Sequence, residues 1–443
     1  MKILKFGGTS VGSAHNMRLV ANLISAEEPK MVVLSAMSGT TNKLVEIANK
    51  LYQQQTKEAL DLTENLHKIY REVINELYTT EKKKFAALDF LLSHIDFIKS
   101  LATGPFSIRE ERAILAQGEL LSTHLFQFLL EELNQNSVLL PALSFMRIDE
   151  NEEPDLTFLE EELTALLAKY PQSNLFITQG YICRNAFGEI DNLKRGGSDY
   201  SASLIGAAVQ ASEIQIWTDI DGMHNNDPRV VPDTYPIAEL SFDEAAELAY
   251  FGAKILHPSS VLPAKQKNIP VKLLNTMQPE AKGTTISAQS SGKSIKAVAA
   301  KDGIVAINVK SSRMLLAYGF LRRIFEVFEE YKTPIDMVTT SEVAVSLTID
   351  NTKYLPEIIA ELKEFGSVQV DTDQTIICLV GDSIEEVPGT TLKIFKSLKD
   401  IPLRMISYGG SKNNISLLIA TADKKQALKA LNTGVFERIA EHA

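Results

Sequence analysis

Cysteine is scarce: Cys183 and Cys378 are the only two in 443 residues. They lie far apart, each inside an apolar run (YICRN and TIICLVG). That setting reads as buried strand cysteines, and it leaves neither a disulfide framework nor a zinc spacing. A basic surplus is missing as well. The formal net charge is −11, which argues against nonspecific nucleic-acid binding, because that needs a basic face. No apolar run approaches the ~20 residues of a membrane span. The chain starts directly on a strand pattern without a signal peptide, so the cytoplasm is the expected location. No Ser-His-Asp arrangement stands out.

What is present describes a soluble globular protein, 45% hydrophobic and 23% charged. Its length exceeds what one core usually serves, so two or three domains are expected. In the first half, short buried strands (KILKF, KMVVLSA, NLFITQG, EIQIWTDIDG, IPVKLLNT) alternate with helical patterns. This is the signature of strand–helix–strand units and a parallel sheet. A helical excursion over residues 42–104 has apolar spacing near 3.6 in LTENLHKIYREVINELY and reads as structural. ERAILAQGELLSTHLFQFLLEEL is another long helix. SFDEAAELAYFGAKILHP is one that Pro258 cuts short. Residues 278–294 are rich in Gly, Ser and Thr, and read as a linker or exposed turn.

The C-terminal third repeats itself. Gly319 aligns with Gly389, Ile324–Phe325 with Ile394–Phe395 and Val345 with Ile415, always at an offset of 70 residues. The first copy, about 304–371, runs βαββαβ, the ferredoxin-like order. The second, about 375–443, lacks a last strand. SIKAVAA before the first copy supplies it, which interleaves the two modules. The expected division is therefore a domain over 1–290 and a paired module over 295–443.

Several stretches carry polar chemistry. In KFGGTSV, Lys5 closes a strand ahead of Gly7 and Gly8, whose lack of Cβ lets backbone N–H groups approach an anion. Thr9 and Ser10 are candidate caps for the following helix, whose N-terminus favours negative charge. Alone, such a Gly-Gly is also an ordinary turn. KRGGSDYSASLIGAA repeats the device: Arg195, Gly196 and Gly197 precede Ser198, a candidate cap, and Asp199 falls in the first helical turn. A well-capped helix with a favourable acid explains it equally. WTDIDGMHNNDPRVV leaves a strand's C-terminal end, where open α/β sheets bind ligands. It offers Thr218, Asp219, Asp227 and Arg229, though Asx turns account for much of that composition. SAMSGTTN presents Ser35 and Thr41. LAQGEL puts Glu119 on an apolar helix, where a lone carboxylate is costly without a partner such as an ammonium group. FGAKILHP places Lys254 near a helix C-terminus, which suits a cation. On a protein of net charge −11, anionic ligands need such cations placed locally, or a metal.

KFGGTSV, SAMSGTTN, the Gly118–Glu119 pair, RGGSDYSA, TDIDG with NDPR, FGAKILHP and TTSEVAVSL come in the order found in the aspartokinases of the amino acid kinase family, and the resemblance spans the chain. It implies an α/β fold, with a parallel-rich central sheet sandwiched by helices and followed by tandem ACT modules, the family's regulatory part. It implies ATP-dependent phosphorylation of the L-aspartate β-carboxylate, the first step towards lysine, threonine and methionine, with Mg2+ as the accompanying ion and no metal ligands assigned. By resemblance, Lys5 contacts the transferring phosphoryl group with Gly7, Gly8 and Thr9 beside it, and Asp199 organises that lysine. Ser35, Thr41, Glu119, Arg195, Gly196 and Ser198 correspond to aspartate-binding positions. Thr218, Asp219, Asp227, Arg229 and Lys254 correspond to the nucleotide site. His224 departs from the tyrosine common in relatives and stays outside the site. Glutamate kinase and carbamate kinase are the near alternatives, and a noncatalytic amino-acid sensor the distant one.

The C-terminal segments SSRMLLAYGFLRRIF and PIDMVTTSEVAVSL resemble the effector segments of lysine-sensitive members. Met314, Gly319, Phe320, Leu321, Asp336, Thr340 and Ser341 match, whereas Leu316 and Ala317 replace a usual histidine and serine. L-Lysine is the implied effector, with Asp336 as a carboxylate for its amino group or else an exposed strand-entry residue. Homodimers or higher oligomers through ACT edge strands are implied too. Neither nucleic acid nor membrane is an expected partner.

Overall fold

The computed structural model describes residues 1–25, 28–193, 196–252, 256–289, 292, 294–311 and 318–436. It divides into two compact units. The first comprises Met1–Met223, Ala238–Phe242 and Leu256–Gln289, the second His224–Ile237, Asp243–Ile255 and Ser290–Ala443.

The first unit contains β1 (Lys2–Phe6), α1 (Ala14–Leu23), β2 (Lys30–Leu34), α2 (Thr40–Tyr52), α3 (Thr56–Leu77), α4 (Glu81–Leu101), α5 (Ile108–Glu132), β3 (Val138–Leu139), α6 (Leu156–Leu167), β4 (Leu175–Gln179), β5 (Ile182–Arg184), β6 (Ile190–Asn192), α7 (Gly197–Ala208), β7 (Glu213–Thr218) and β8 (Glu239–Ser241). After α8 (Phe242–Tyr250), most of which lies in the second unit, come α9 (Leu262–Gln266), β9 (Val271–Asn275) and β10 (Thr284–Ser287). The central sheet has eight strands in the order β3-β4-β2-β1-β7-β9-β10-β8. All its pairings are parallel except β9 with β10. Parallel strands need crossovers, and these cover both faces with helices, so β1, β2 and β4 are wholly or almost wholly buried runs.

The helical excursion belongs to the main core. Leu66, Tyr70, Ile74 and Leu77 of α3, and Ala87, Leu91, Ile95 and Ile98 of α4, recur at helical spacing and are buried against α5 and the sheet. Each buried Leu or Ile side chain among them contributes about 1.5–3 kcal/mol of transfer free energy. Two expectations fail here. The Gly/Ser/Thr-rich stretch is not wholly linker: it holds β10, because β-branched Thr284 and Thr285 with fully buried Ile286 suit a sheet position. The helix before FGAKILHP ends at Tyr250, ahead of Gly252 at φ +119°, a left-handed conformation that closes the helix.

The second unit contains β11 (Ile295–Lys310), α10 (Phe320–Glu330), β12 (Val338–Thr340), β13 (Ala344–Ile349), α11 (Leu355–Leu362), β14 (Ser367–Gly381), α12 (Thr390–Ser397), β15 (Met405–Ser407), β16 (Asn414–Ala420) and α13 (Lys424–Val435). They form one antiparallel sheet, ordered β12-β13-β11-β14-β16-β15. The modules interleave through β11. Residues 295–301 pair with 376–381 of β14, while residues 304–310 pair with 367–374 of β14 and 344–349 of β13. Val298 accordingly joins the core under α12 and α13, whereas Val305, Ile307 and Val309 join the core under α10 and α11. SIKAVAA is thus not a separate strand. It runs into the first module's own strand across a register shift between Lys301 and Ile304.

Candidate active site

Lys5 lies in β1, in register with Val33 of β2 and Ile216 of β7. Its side chain rises at the C-terminal edge of the sheet and is almost buried. Its Nζ lies 2.6 Å from Asp199 Oδ1 and 3.5 Å from where a Cβ on Gly7 would sit. An ammonium withdrawn from water is costly alone, and Asp199 compensates it.

The glycine loop departs from the expected turn. Gly7 N–H donates to Trp217 O at 3.1 Å, and Ser38 N–H donates to Gly8 O at 3.0 Å. Helix α1 starts only at Ala14 and is capped by Ser13, whose hydroxyl accepts from Asn16 N–H at 3.2 Å. Thr9 and Ser10 are therefore not caps. Ser10 Oγ instead lies 2.7 Å from Thr276 Oγ1 across the sheet edge, and Thr9 O accepts from Asn16 Nδ2 at 2.8 Å.

Helix α7 is capped by Gly196 at φ +72°, with no side-chain cap. A Cβ at Gly196 would fall 2.1 Å from Ser260 Oγ, so glycine is required by conformation and by space. Ser198 is correspondingly not the cap. It lies within the first turn and packs on Gly180 at the end of β4, where an added Cβ would come within 2.4 Å of its Cβ. Among the described residues no side chain accepts from the first-turn N–H groups of α7, and the helix dipole favours an anion there.

These elements enclose a cleft of about 390 Å³, lined by Gly8, Ser35, Thr41, Glu119, Gly197 and Ser198. Glu119 is 3% exposed. Its Oε1 accepts from Ala36 N–H at 3.1 Å, and its Oε2 is buried with no partner among the described residues. Burial pushes its carboxyl up to about 8, and the Ala36 N–H offsets only part of that. Gly118 makes this placement possible, since a Cβ there would meet the Ala36 Cβ at 2.8 Å. Tyr181 also lines the cleft, at φ +66°, and sequence reasoning missed it. Its signal was its place just beyond the C-terminal end of β4, the strand edge where such sheets bind ligands.

Thr218 and Asp219 end β7, where Thr218 Oγ1 donates to Asp219 Oδ1 at 3.1 Å. Asp227 and Arg229 lie in the second unit and engage each other: Arg229 Nε meets Asp227 Oδ1 at 2.9 Å and Nη2 meets Oδ2 at 2.8 Å. The guanidinium holds the Asp227 carboxyl below its usual range. His224 Nδ1 lies 2.8 Å from Thr234 Oγ1. Arg195, Lys254 and Met314 lie outside the described residues. Among the effector positions, Gly319 caps α10 at φ +81°, and Phe320 and Leu321 form its first turn. Thr340 ends β12, and Ser341 N–H donates to Ala344 O at 2.8 Å. Asp336 stands at the entry to β12 but is not exposed, for its side chain is 1% exposed and engaged by Lys301.

The amino acid kinase family pattern matches residues 1–275, and an ACT domain pattern matches residues 377–434. The lysine-sensitive aspartokinase 3 of Escherichia coli K12 is 33% identical over 451 residues, covering 98% of this chain and 99% of that protein. The chloroplastic aspartokinase 2 of Arabidopsis thaliana is 33% identical over 463 residues, covering 98% and 84%. The crystal structure of E. coli aspartokinase III with aspartate and ADP superposes with a TM-score of 0.85 at 32% identity, over 99% of this chain and 100% of that one. Its lysine-and-aspartate complex gives 0.81, also at 32% identity, with the same coverage. This chain belongs to the amino acid kinase family and, within it, to the aspartokinases.

Proposed function

We propose that this chain transfers the γ-phosphoryl group of ATP to the β-carboxylate of L-aspartate, giving 4-phospho-L-aspartate and ADP. The observation that carries the reading is the cleft itself, where the buried Glu119 carboxyl, its Oε2 without a partner among the described residues, faces space shared with a glycine loop and a helix N-terminus that has no side-chain cap. The E. coli aspartokinase III structure with aspartate and ADP supports it.

In this reading the substrate ammonium docks on Glu119 Oε2 and restores the ionised form of that carboxyl. Ser35, Thr41, Gly196 and Ser198 hold the substrate from both sides, and Arg195 pairs with its α-carboxylate through a planar fork. The β-carboxylate is already ionised at neutral pH, so attack on the γ-phosphorus needs no general base. As its oxygen bonds to phosphorus, the bond to the β-phosphate oxygen breaks, and the leaving charge stays on ADP. Lys5, with Gly7, Gly8 and Thr9 beside it, neutralises the oxygens of the moving group, and Asp199 keeps the Lys5 ammonium in position. Positioning and charge compensation supply most of the rate in such transfers. Thr218, Asp219, Asp227, Arg229 and Lys254 serve the nucleotide.

The divalent ion would be Mg2+. No group of three or more His, Cys, Asp or Glu poised for a metal exists among the described residues. In this reading the ion arrives on the nucleotide phosphates and keeps most of its waters, as Mg2+ does. When bound, it adds positive charge against the phosphates. Regulation is assigned to the ACT region, about 295–443, with L-lysine as effector at Met314, Gly319, Phe320, Leu321, Asp336, Thr340 and Ser341, and the catalytic domain to 1–290. Association with a second copy through the ACT region belongs to the same reading. A cytoplasmic location accords with the reading, and no helix among the described residues is long and apolar enough to cross a membrane.

The test is acyl-phosphate formation, trapped as hydroxamate, with aspartate, glutamate and carbamate as acceptors in turn. Turnover with aspartate alone is expected, and preference for another acceptor refutes the assignment.

A further inference from the structure

The second unit holds a cluster that the transfer reaction does not use. Lys301 Nζ lies 2.8 Å from Asp336 Oδ1 and 2.9 Å from Asp350 Oδ2. It also stands 4.5 Å from the ring centroid of Tyr250. The Tyr250 hydroxyl donates to the same Asp336 Oδ1 at 2.8 Å. Asp336 Oδ2 is buried and has no partner among the described residues. Two carboxylates and an aromatic face around one ammonium are the elements that recognise a primary amine.

The floor of this cluster is rigid. Asp336 N–H donates to Thr348 O at 2.9 Å, and Met337 N–H to Thr348 Oγ1 at 2.9 Å, which locks Asp336 against β13. The lid is not closed. The Asp350 side chain and Tyr250 are each 42% exposed, and Lys301 reaches in on a flexible four-carbon stem. The two carboxylates outweigh burial and hold the Lys301 ammonium charged. A carboxylate oxygen left buried and unpaired shows that Lys301 does not satisfy the site.

We propose that Asp336, Asp350 and Tyr250 form an ammonium cage which the chain fills with its own Lys301, and that the amino group of an amino-acid effector binds there by displacing Lys301 Nζ. The inference rests on the effector reading of Asp336 given above. Lys301 is then an internal competitor. The apparent affinity for the effector equals the affinity of the empty cage reduced by the fraction of time that the cage is vacant. The grip of this one lysine sets the effector concentration at which inhibition begins.

The test uses the full chain, with L-lysine and methylammonium chloride as probes. Lys301→Ala empties the cage, so methylammonium raises the melting temperature of that variant above a sodium chloride control and leaves the parent unchanged. No such rescue overturns the cage. In aspartate-dependent turnover, the half-inhibitory L-lysine concentration falls roughly ten-fold in Lys301→Ala, since the competitor is gone. It rises in Lys301→Arg, whose fork grips carboxylates more firmly. The arginine variant keeps the cage filled and tests the exchange even where Lys301→Ala does not fold. An unchanged value in both variants overturns the exchange. Methylammonium rescue with no response to L-lysine in any form, the parent included, overturns the effector reading while upholding the cage.

Discussion

Lys5 Nζ and Asp199 Oδ1 stand 2.6 Å apart, one on the central strand and the other in the first turn of α7. They meet as a close ion pair and not as an aligned hydrogen bond, for Asp199 Oδ1 has no hydrogen-bond partner of standard geometry. The pair therefore fixes where the ammonium sits while leaving its N–H groups free to turn towards an incoming phosphoryl group. Asp199→Asn is expected to lower kcat about 100-fold with KM for aspartate little changed, the scale of losing one preorganised electrostatic contact. Lys5→Ala is expected to abolish turnover. Steady-state kinetics beside a melting curve read both, and a full kcat in folded Lys5→Ala removes Lys5 from the reaction.

Glu119 carries a pH signature. Its folded carboxyl titrates near 8 against an ordinary 4.5, through burial. Between those values the folded state holds a proton that the unfolded chain has released. The unfolded chain thus binds fewer protons, and stability falls as pH rises through that window. Glu119→Gln is expected to flatten that part of the pH–stability profile in the free enzyme. It should also raise KM for aspartate roughly 100-fold, since the ammonium loses a buried charged partner. Thermal melts from pH 5 to pH 8 check the first effect and initial rates the second. A profile as steep in Glu119→Gln as in the parent would show that another group titrates.

Much of this was readable before any coordinates, and the exceptions have a common cause. The strand before Gly7 and Gly8, the second glycine pair at Gly196 and the isolated carboxylate of Glu119 are local patterns, and each lies at the cleft edge. The interleaving of the modules was legible because a strand without a partner had to pair somewhere. What escaped was nonlocal. Ser13, not Thr9 or Ser10, caps α1, because Ser10 is drawn to Thr276, 266 residues away. The pairing of Asp336 with Lys301 and Tyr250 depends on β11 and α8 arriving from distant parts of the chain. The helical excursion read as inert, yet it delivers Tyr70 to Thr40 beside the cleft.

Gly180 separates a steric role from a chemical one. It contacts no substrate in the proposed arrangement, but an added Cβ would stand 2.4 Å from Ser198 Cβ and 2.8 Å from Ser198 Cα. Backbone atoms of α7 would have to move. Gly180→Ala is expected to cost about 1–3 kcal/mol of stability by overpacking, and to raise KM for aspartate because the first turn of α7 shifts. Chemical denaturation with parallel kinetics measures both, and unaltered values would mean that α7 is not pressed against the β4 end.

Tyr70 gives the excursion a bearing on substrate binding. Its side chain is fully buried, and its hydroxyl lies 3.0 Å from Thr40 Oγ1, one residue before Thr41 in the first turn of α2. Burial drives the phenol well above its ordinary range, and ionised Glu119 pushes the same way, so the hydroxyl stays protonated at all working pH values. Tyr70→Phe keeps the packing and removes the contact, leaving Thr40 Oγ1 buried without it. The expected loss is about 1–2 kcal/mol. If the contact also holds the cleft wall, KM for aspartate rises roughly three- to ten-fold while kcat is retained, the equivalent of about 1 kcal/mol of binding. Lower stability with unchanged KM would confine Tyr70 to the core, and Thr41 would then owe its position to α5 and Gly118 alone.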